Sequence, residues 1–285
     1  MSDLLNAGYV FFRGVCSIEP LRIKSVASLP PTAQAPRVFG SEEFFDVLLR
    51  KMGLPANAYR AGSLHRRIPA CLRFLGVRDV TAALSRLEKS PQLAASLLNV
   101  VLLGVTEFWR DIHVFERLEE LLPSGPLSIW SAGCSDGQEL YSVAMLLAER
   151  GQLGRAELLG TDFRPDAVSL AKEGRYPMVV AARLDDARRR QFFGVDDQGA
   201  RIVPELREKV SWKKADLLTG VEPGPWDVVL WRNMAIYLEP DAALRIWTGL
   251  SGVLKPGGLL VTGKAEQPPS HLELIRLGAC IYQKP

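Results

Sequence analysis

The chain has 285 residues, with 35 Lys and Arg against 32 Asp and Glu, and 47% of its residues are hydrophobic. A net charge of +3 with that apolar content excludes a disordered protein, and no run approaches the ~18 consecutive apolar residues of a membrane span. Four scattered cysteines, no CxxC pair and three histidines argue against a zinc site or a disulfide framework, so no metal is expected. The charge balance is too mild to call for nucleic acid as a partner. The opening MSDLLNAGYVFFRG has no basic stretch ahead of an apolar one, so a secretory leader is not expected and a cytoplasmic location is.

Residues 1–40 read as an arm and linker, because SVASLPPTAQAP is irregular and rich in proline. Helical signals begin at Ser41, an expected N-cap ahead of Glu42 and Glu43, and Gly53 is expected to end that helix. Further helical patterns cover Ser63 to Leu75, Val80 to Leu87 and Leu93 to Leu103, so 41–110 is predicted to be a small all-helical domain. Pro69 interrupts the first of these, and a helix should kink or restart there. From Leu127 the grammar changes. LSIWSAG reads as a strand, QELYSVAMLLAERG as a helix, ELLGTDF as a strand and RPDAVSLAKEG as a helix. KVSWKKADLL, WDVVLWRN and GGLLVTG follow as strands, with a helix, DAALRIWTGLSGVL, before the last. Alternating strands and helices predict an α/β, doubly wound parallel sheet over 111–285.

Four signals fall at the expected strand ends. Gly133-Cys134-Ser135-Asp136-Gly137 lies between a strand and a helix, where glycines let the backbone turn tightly and approach a ligand. Asp162 ends the next strand, where a carboxylate can accept both ribose hydroxyls of a nucleoside, while Asp166 is placed to cap the following helix. Asp216 ends a third strand-like run, and Lys255-Pro256-Gly257-Gly258 leads into another. The glycine spacing is not the GxGxxG of a dinucleotide enzyme.

Together these features resemble the class I S-adenosylmethionine-dependent methyltransferases. Three further stretches narrow the likeness: Thr106-Glu107-Phe108-Trp109-Arg110-Asp111, Ser135-Asp136-Gly137-Gln138-Glu139-Leu140-Tyr141-Ser142, and Trp231-Arg232-Asn233-Met234-Ala235-Ile236-Tyr237. They are similar to the T-x-F-F-R-D, S-x-G-E-E-x-Y-S and R-N-x-x-I-Y motifs of the CheR-type chemoreceptor glutamate methyltransferases. Gly263-Lys264-Ala265-Glu266 is similar to the same family's G-H-S-E. The resemblance implies S-adenosyl-L-methionine (SAM) as cofactor, S-adenosyl-L-homocysteine (SAH) as its product, and a Rossmann-like fold with a small β subdomain, matched in outline by 191–212. It implies cofactor contacts at Thr106, Arg110, Gly133, Glu139, Asp162, Asp216, Leu217, Arg232 and Asn233, with Arg110 and Tyr237 near the transferable methyl. Asp216 stands where the family usually has Asn. The implied substrate is a chemoreceptor-like signalling protein. The alternatives are a methyltransferase of this fold with another acceptor, protein or small molecule, and a SAM- or SAH-binding regulatory module without turnover. Ser63 to Gly76 carries Pro69, Ala70 and Cys71 where the family's receptor-facing helix is richer in arginine, and the Asp196-Asp197-Gln198-Gly199 turn is short. Tethering to a receptor's tail peptide is therefore not expected, and a monomer is.

Overall fold

The computed structural model describes residues 40–90, 92–102 and 106–285. The expected arm thus lies outside the described residues, apart from Gly40. Two compact units emerge, the second joining Asn57–Arg60 to everything from Thr106 onward.

The first unit is helical: α1 (Ser41–Lys51), α2 (Ala61–His65), α3 (Ile68–Leu75), α4 (Val80–Lys89) and α5 (Leu93–Val101). Its core is Phe44, Leu48, Leu49, Cys71, Leu87, Leu97 and Leu98, each buried. At roughly 1.5–3 kcal/mol for each fully buried large side chain, this cluster is the main force holding the helices together. Ser41 is not the N-cap of α1. Gly40 takes that place in a left-handed conformation, φ 78°, and Ser41 becomes the first helical residue, itself buried. A left-handed entry suits glycine, which has no Cβ to clash. The helix ends at Lys51, with Gly53 at φ 72°. Pro69 does divide its segment, sitting in the first turn of α3, where its missing N–H would have no helical partner anyway.

The second unit runs α6 (Ile112–Leu121), β1 (Leu127–Ala132), α7 (Gln138–Glu149), β2 (Ala156–Asp162), α8 (Pro165–Glu173), β3 (Arg175–Tyr176), α9 (Met178–Ala181), α10 (Asp186–Phe192), β4 (Phe193–Asp196), β5 (Gly199–Ile202), α11 (Pro204–Arg207), β6 (Val210–Lys214), β7 (Trp226–Trp231), α12 (Pro240–Val253), β8 (Leu254–Thr262), β9 (Ile275–Gly278) and β10 (Ile281–Gln283). The main sheet has the order β6-β2-β1-β7-β8-β10-β9. Its first five strands are parallel, and β10 is antiparallel to both neighbours. That is the doubly wound arrangement expected of a class I methyltransferase. The central strands β1 and β7 are buried almost throughout, as parallel strands covered on both faces must be. α7 is buried on nearly every side, through Leu140, Tyr141, Val143, Ala144, Met145, Leu146 and Leu147.

A second sheet of three short strands, order β3-β5-β4, forms the small β subdomain. Its first strand lies N-terminal to the stretch 191–212, and β6 at the end of that stretch belongs to the main sheet instead. The strand order reverses between β1 and β7. In open α/β sheets the crevice beyond the carboxyl ends of such a pair is where ligands bind.

Candidate cofactor site

The loop from Gly133 to Gly137 joins β1 to α7. Gly133 and Cys134 both donate their N–H to the Thr161 carbonyl at 2.8 Å, pinning the loop to the end of β2. Gly137, at φ 90°, forms the tight entry to α7, and a Cβ there would fall 2.8 Å from Ala171 and Trp212. Close packing of loop, α8 and β6 therefore requires glycine at this position.

Asp162 is buried and already engaged. Its Oδ1 accepts from the Arg164 N–H at 3.0 Å and Arg164 Nε at 3.1 Å, and its Oδ2 accepts from the Ser135 N–H at 2.9 Å and Arg164 Nη2 at 3.4 Å. The carboxylate thus clasps the glycine loop to β2, and a ribose diol would share it with the Arg164 guanidinium. Arg164 also donates to Ser135 Oγ at 2.9 Å. Asp166 does not cap α8. The helix enters through Arg164 without a side-chain cap, and Asp166 lies in the first turn, where its charge suits the helix dipole. Asp136, between the two glycines, has its carboxyl pushed up by burial and by the charges of Asp162 and Asp166, against the pull of Arg164.

Asp216 follows β6 and accepts from the Leu218 N–H at 2.9 Å, closing a side-chain turn that leaves Asp216 and Leu217 half-buried. On the other side of the switch point, Arg232 directly follows β7 with its guanidinium almost wholly buried. It donates to Glu139 Oε2 at 3.1 Å, Asp111 Oδ2 at 2.9 Å, the Arg110 carbonyl at 3.0 Å and the Thr262 carbonyl at 3.4 Å. Glu139 Oε1 accepts from Ser131 Oγ at 2.9 Å. Lys264 pairs with the other oxygen of Asp111 at 2.6 Å. Burial alone would raise the Asp111 carboxyl, but Lys264 and Arg232 hold it below the ordinary carboxylate value. Trp109 and Asp111 both take left-handed φ, 54° and 62°, so Arg110 sits in a sharply turned segment held by this network. Nearby, the Arg188 guanidinium lies 3.8 Å over the Trp109 ring, a cation–π contact.

Asn233 also has a left-handed φ, 60°. Its N–H donates to Glu266 Oε2 at 2.6 Å, and Gly263 N–H reaches the same oxygen at 2.9 Å. Glu266 is buried and receives the Asn233 and Gly263 backbone donors on one oxygen, although burial still leaves its carboxyl raised. The turn that follows, Ala235–Tyr237, places Tyr237 directly after this anchor.

Residues 104–278 match the family described as CheR methyltransferase, SAM binding domain. The chain belongs to the CheR family. It is 27% identical over 278 residues to chemotaxis protein methyltransferase 2 of Pseudomonas aeruginosa, covering 88% of this chain and 99% of that one. It is 28% identical over 232 residues to the chemotaxis protein methyltransferase of Klebsiella aerogenes, covering 77% and 80% respectively. A probable biofilm formation methyltransferase, WspC, of Pseudomonas putida is 28% identical over 237 residues, covering 79% of this chain and 56% of that protein. The protein is thus a SAM-dependent methyltransferase.

The donor set fits this cofactor. A carboxylate at the end of β2 suits a ribose diol, and the acids Asp136, Asp162 and Asp216 around the crevice favour a sulfonium cation. The CheR motifs converge through hydrogen bonds: Glu139, Arg232 and the Arg110 backbone form one network, and Asn233 is fixed beside it by Glu266. The sequence reading missed Arg164, Asp111 and the anchoring role of Glu266. Asp111 and Glu266 had a signal, since both lie inside the matched motifs. Arg164 had none, because only the fold folds its side chain back over Asp162.

Proposed function

We propose that this enzyme forms methyl esters on glutamate side chains of a chemoreceptor-like signalling protein, acting as a cytoplasmic monomer without a tail-peptide tether. The observation that carries this reading is the Arg232 network, which joins the segment of Arg110 to Glu139 at the switch point of the sheet. The names of the CheR relatives support the choice of acceptor. No helix among the described residues is long and apolar enough to cross a membrane, in keeping with an enzyme that meets its receptor from solution.

In this reading Thr106, Arg110, Gly133, Glu139, Asp162, Asp216, Leu217, Arg232 and Asn233 form the cofactor site. Asp162 and Asp216 face the nucleoside, and Arg232 acts through the groups it holds. When bound, SAM supplies a methyl carried on a sulfonium, an electrophile for an oxygen anion. The acceptor glutamate is ionised at neutral pH, its reference pKa being about 4.3, so no strong general base is needed. What the chain must supply is alignment. Arg110 orients the acceptor carboxylate, and the Tyr237 hydroxyl steadies it beside the methyl.

Receptor-bearing membranes incubated with tritiated SAM test this. The expected product is protein label released as volatile methanol by mild base, and Tyr237→Phe should slow its formation at least about tenfold, a loss of ~1.4 kcal/mol. Base-stable label would exclude an ester, and an unchanged Tyr237→Phe rate would remove the hydroxyl from the mechanism. A second acceptor reading draws on the first unit, where the break between α2 and α3 interrupts the stretch expected to meet a receptor and Cys71 is buried in the core. Label on a soluble protein but not on receptors would favour it.

A further inference from the structure

We infer that Tyr59, a residue far upstream of the CheR motifs, is an additional cofactor-binding residue whose ring walls the nucleoside end of the site. This rests on the cofactor reading above and adds a contact from a strap that no motif covers.

Asn57–Arg60 interrupts the helical unit in sequence yet belongs structurally to the methyltransferase unit. Tyr59 pairs with Leu238 in an isolated antiparallel bridge. On either side, the Arg60 N–H donates to the Tyr237 carbonyl at 2.8 Å and the Glu239 N–H donates to the Ala58 carbonyl at 2.8 Å. Arg60 Nε adds a bond to the Leu238 carbonyl at 2.6 Å. The strap is therefore clamped to the turn that carries Tyr237. The backbone bonds of Ala58 and Arg60 account for the seating of the strap but give the Tyr59 side chain no task.

Tyr59 is 9% exposed, and no hydrogen bond of its hydroxyl is found among the described residues. Its surroundings identify where it lies. Burial, followed by the negative charges of Asp216 and then Asp162, drives the phenol above its ordinary value. The two acids whose charges reach the phenol are Asp162 at the end of β2 and Asp216 just after β6, the pair assigned to the nucleoside, and the phenol stays neutral at physiological pH. A neutral aromatic ring in the neighbourhood of two acids that would accept from a ribose and an adenine amino group supplies the apolar face those acids lack. Stacking of a base on an aromatic face is the natural use of such a surface.

Calorimetric titration of SAH into the full-length protein tests the assignment, with wild type, Tyr59→Ala, Tyr59→Leu, Tyr59→Phe and Asp162→Ala run together. Tyr59→Ala is expected to weaken binding about tenfold or more, and Tyr59→Phe to stay within about threefold, since the ring is what contributes. Competition by adenosine should fall by the same factor in Tyr59→Ala, whereas competition by homocysteine should not change. That split separates a nucleoside wall from general damage. Should Tyr59→Ala fail to fold, Tyr59→Leu keeps the strap's apolar bulk without the aromatic face and should still bind several-fold more weakly. Wild-type affinity in the folded alanine or leucine variant, while Asp162→Ala loses binding, would overturn the Tyr59 inference alone. An equal loss in Tyr59→Phe would overturn the ring as the contact. No binding by folded wild type would overturn the cofactor site and Tyr59 together.

Discussion

Arg232 holds a buried guanidinium against Glu139, Asp111 and the carbonyls of Arg110 and Thr262. Its planar fork reaches acceptors in several directions at once, which a lysine ammonium on a flexible stem does not reproduce. Arg232→Lys should therefore leave buried acceptors unmatched and cost about 1–3 kcal/mol of stability. Arg232→Met takes the cation from the largely buried Glu139 carboxylate, leaving Asp111 only Lys264, and should cost about 3–5 kcal/mol. Urea unfolding of the three proteins measures both, and a lysine variant as stable as wild type would show the fork to be dispensable. The family resemblance implied a cofactor contact at Arg232, but its partners lie far away along the chain and only the fold brings them together. The same holds for Asp162. Its position at a strand end was legible, whereas the return of Arg164 onto its oxygens was not, because side-chain direction at a turn depends on what packs around it.

At the level of elements, the end of the sheet away from the site is fastened by one carboxylate. Asp227 at the start of β7 accepts from Ser128 N–H and Oγ on β1, both at 2.8 Å, and from Lys255 Nζ on β8 at 2.7 Å. Burial would raise its carboxyl, but Lys255 and the two Ser128 donors outweigh burial and hold it below the usual value. A depressed carboxylate favours folding above its unfolded pKa, near 3.9, and loses that contribution as pH falls through the lower folded value. Asp227→Asn should be less stable than wild type at neutral pH, with the gap narrowing below about pH 4 as the wild-type carboxylate protonates. Denaturant unfolding from pH 7 to pH 3 measures the gap, and a constant or widening difference would exclude the linkage. Most elements were readable in advance because burial imposed their periods: near-continuous apolar runs in β1 and β7, glycine at the exits of α1 and α3. The entry of α1 was misplaced because two adjacent small residues both suit a helix start. Only the left-handed backbone at Gly40 decides between them.

For the whole molecule, the alternation of strand-like and helical stretches was enough to anticipate the doubly wound sheet, and the resemblance of three ordered motifs to the CheR family implied the cofactor. The interleaving of the strap was not legible, since Asn57–Arg60 has no composition that distinguishes it from a helix connection. The small β subdomain offers the last test of how the enzyme meets its substrate. Its edge strand β4 has four residues and is joined to β5 by the tight turn Asp196–Gly199. About half of a strand's backbone groups face outward at an edge, here roughly four, each contributing about 0.5–1.5 kcal/mol net when paired. Against that stands a binding free energy of about 8 kcal/mol for a micromolar complex, before the cost of ordering a flexible tail. Asp196 is engaged by Arg175 in an ion pair, and Asp197 beside it is exposed and would repel an acidic tail. Titration of a receptor's C-terminal tail peptide should accordingly give no saturable heat up to about 100 µM, a limit of roughly 5.5 kcal/mol. A complex with Kd between about 1 nM and 1 µM would show that this edge recruits a partner through contacts beyond its backbone, and the tether-free reading would fall.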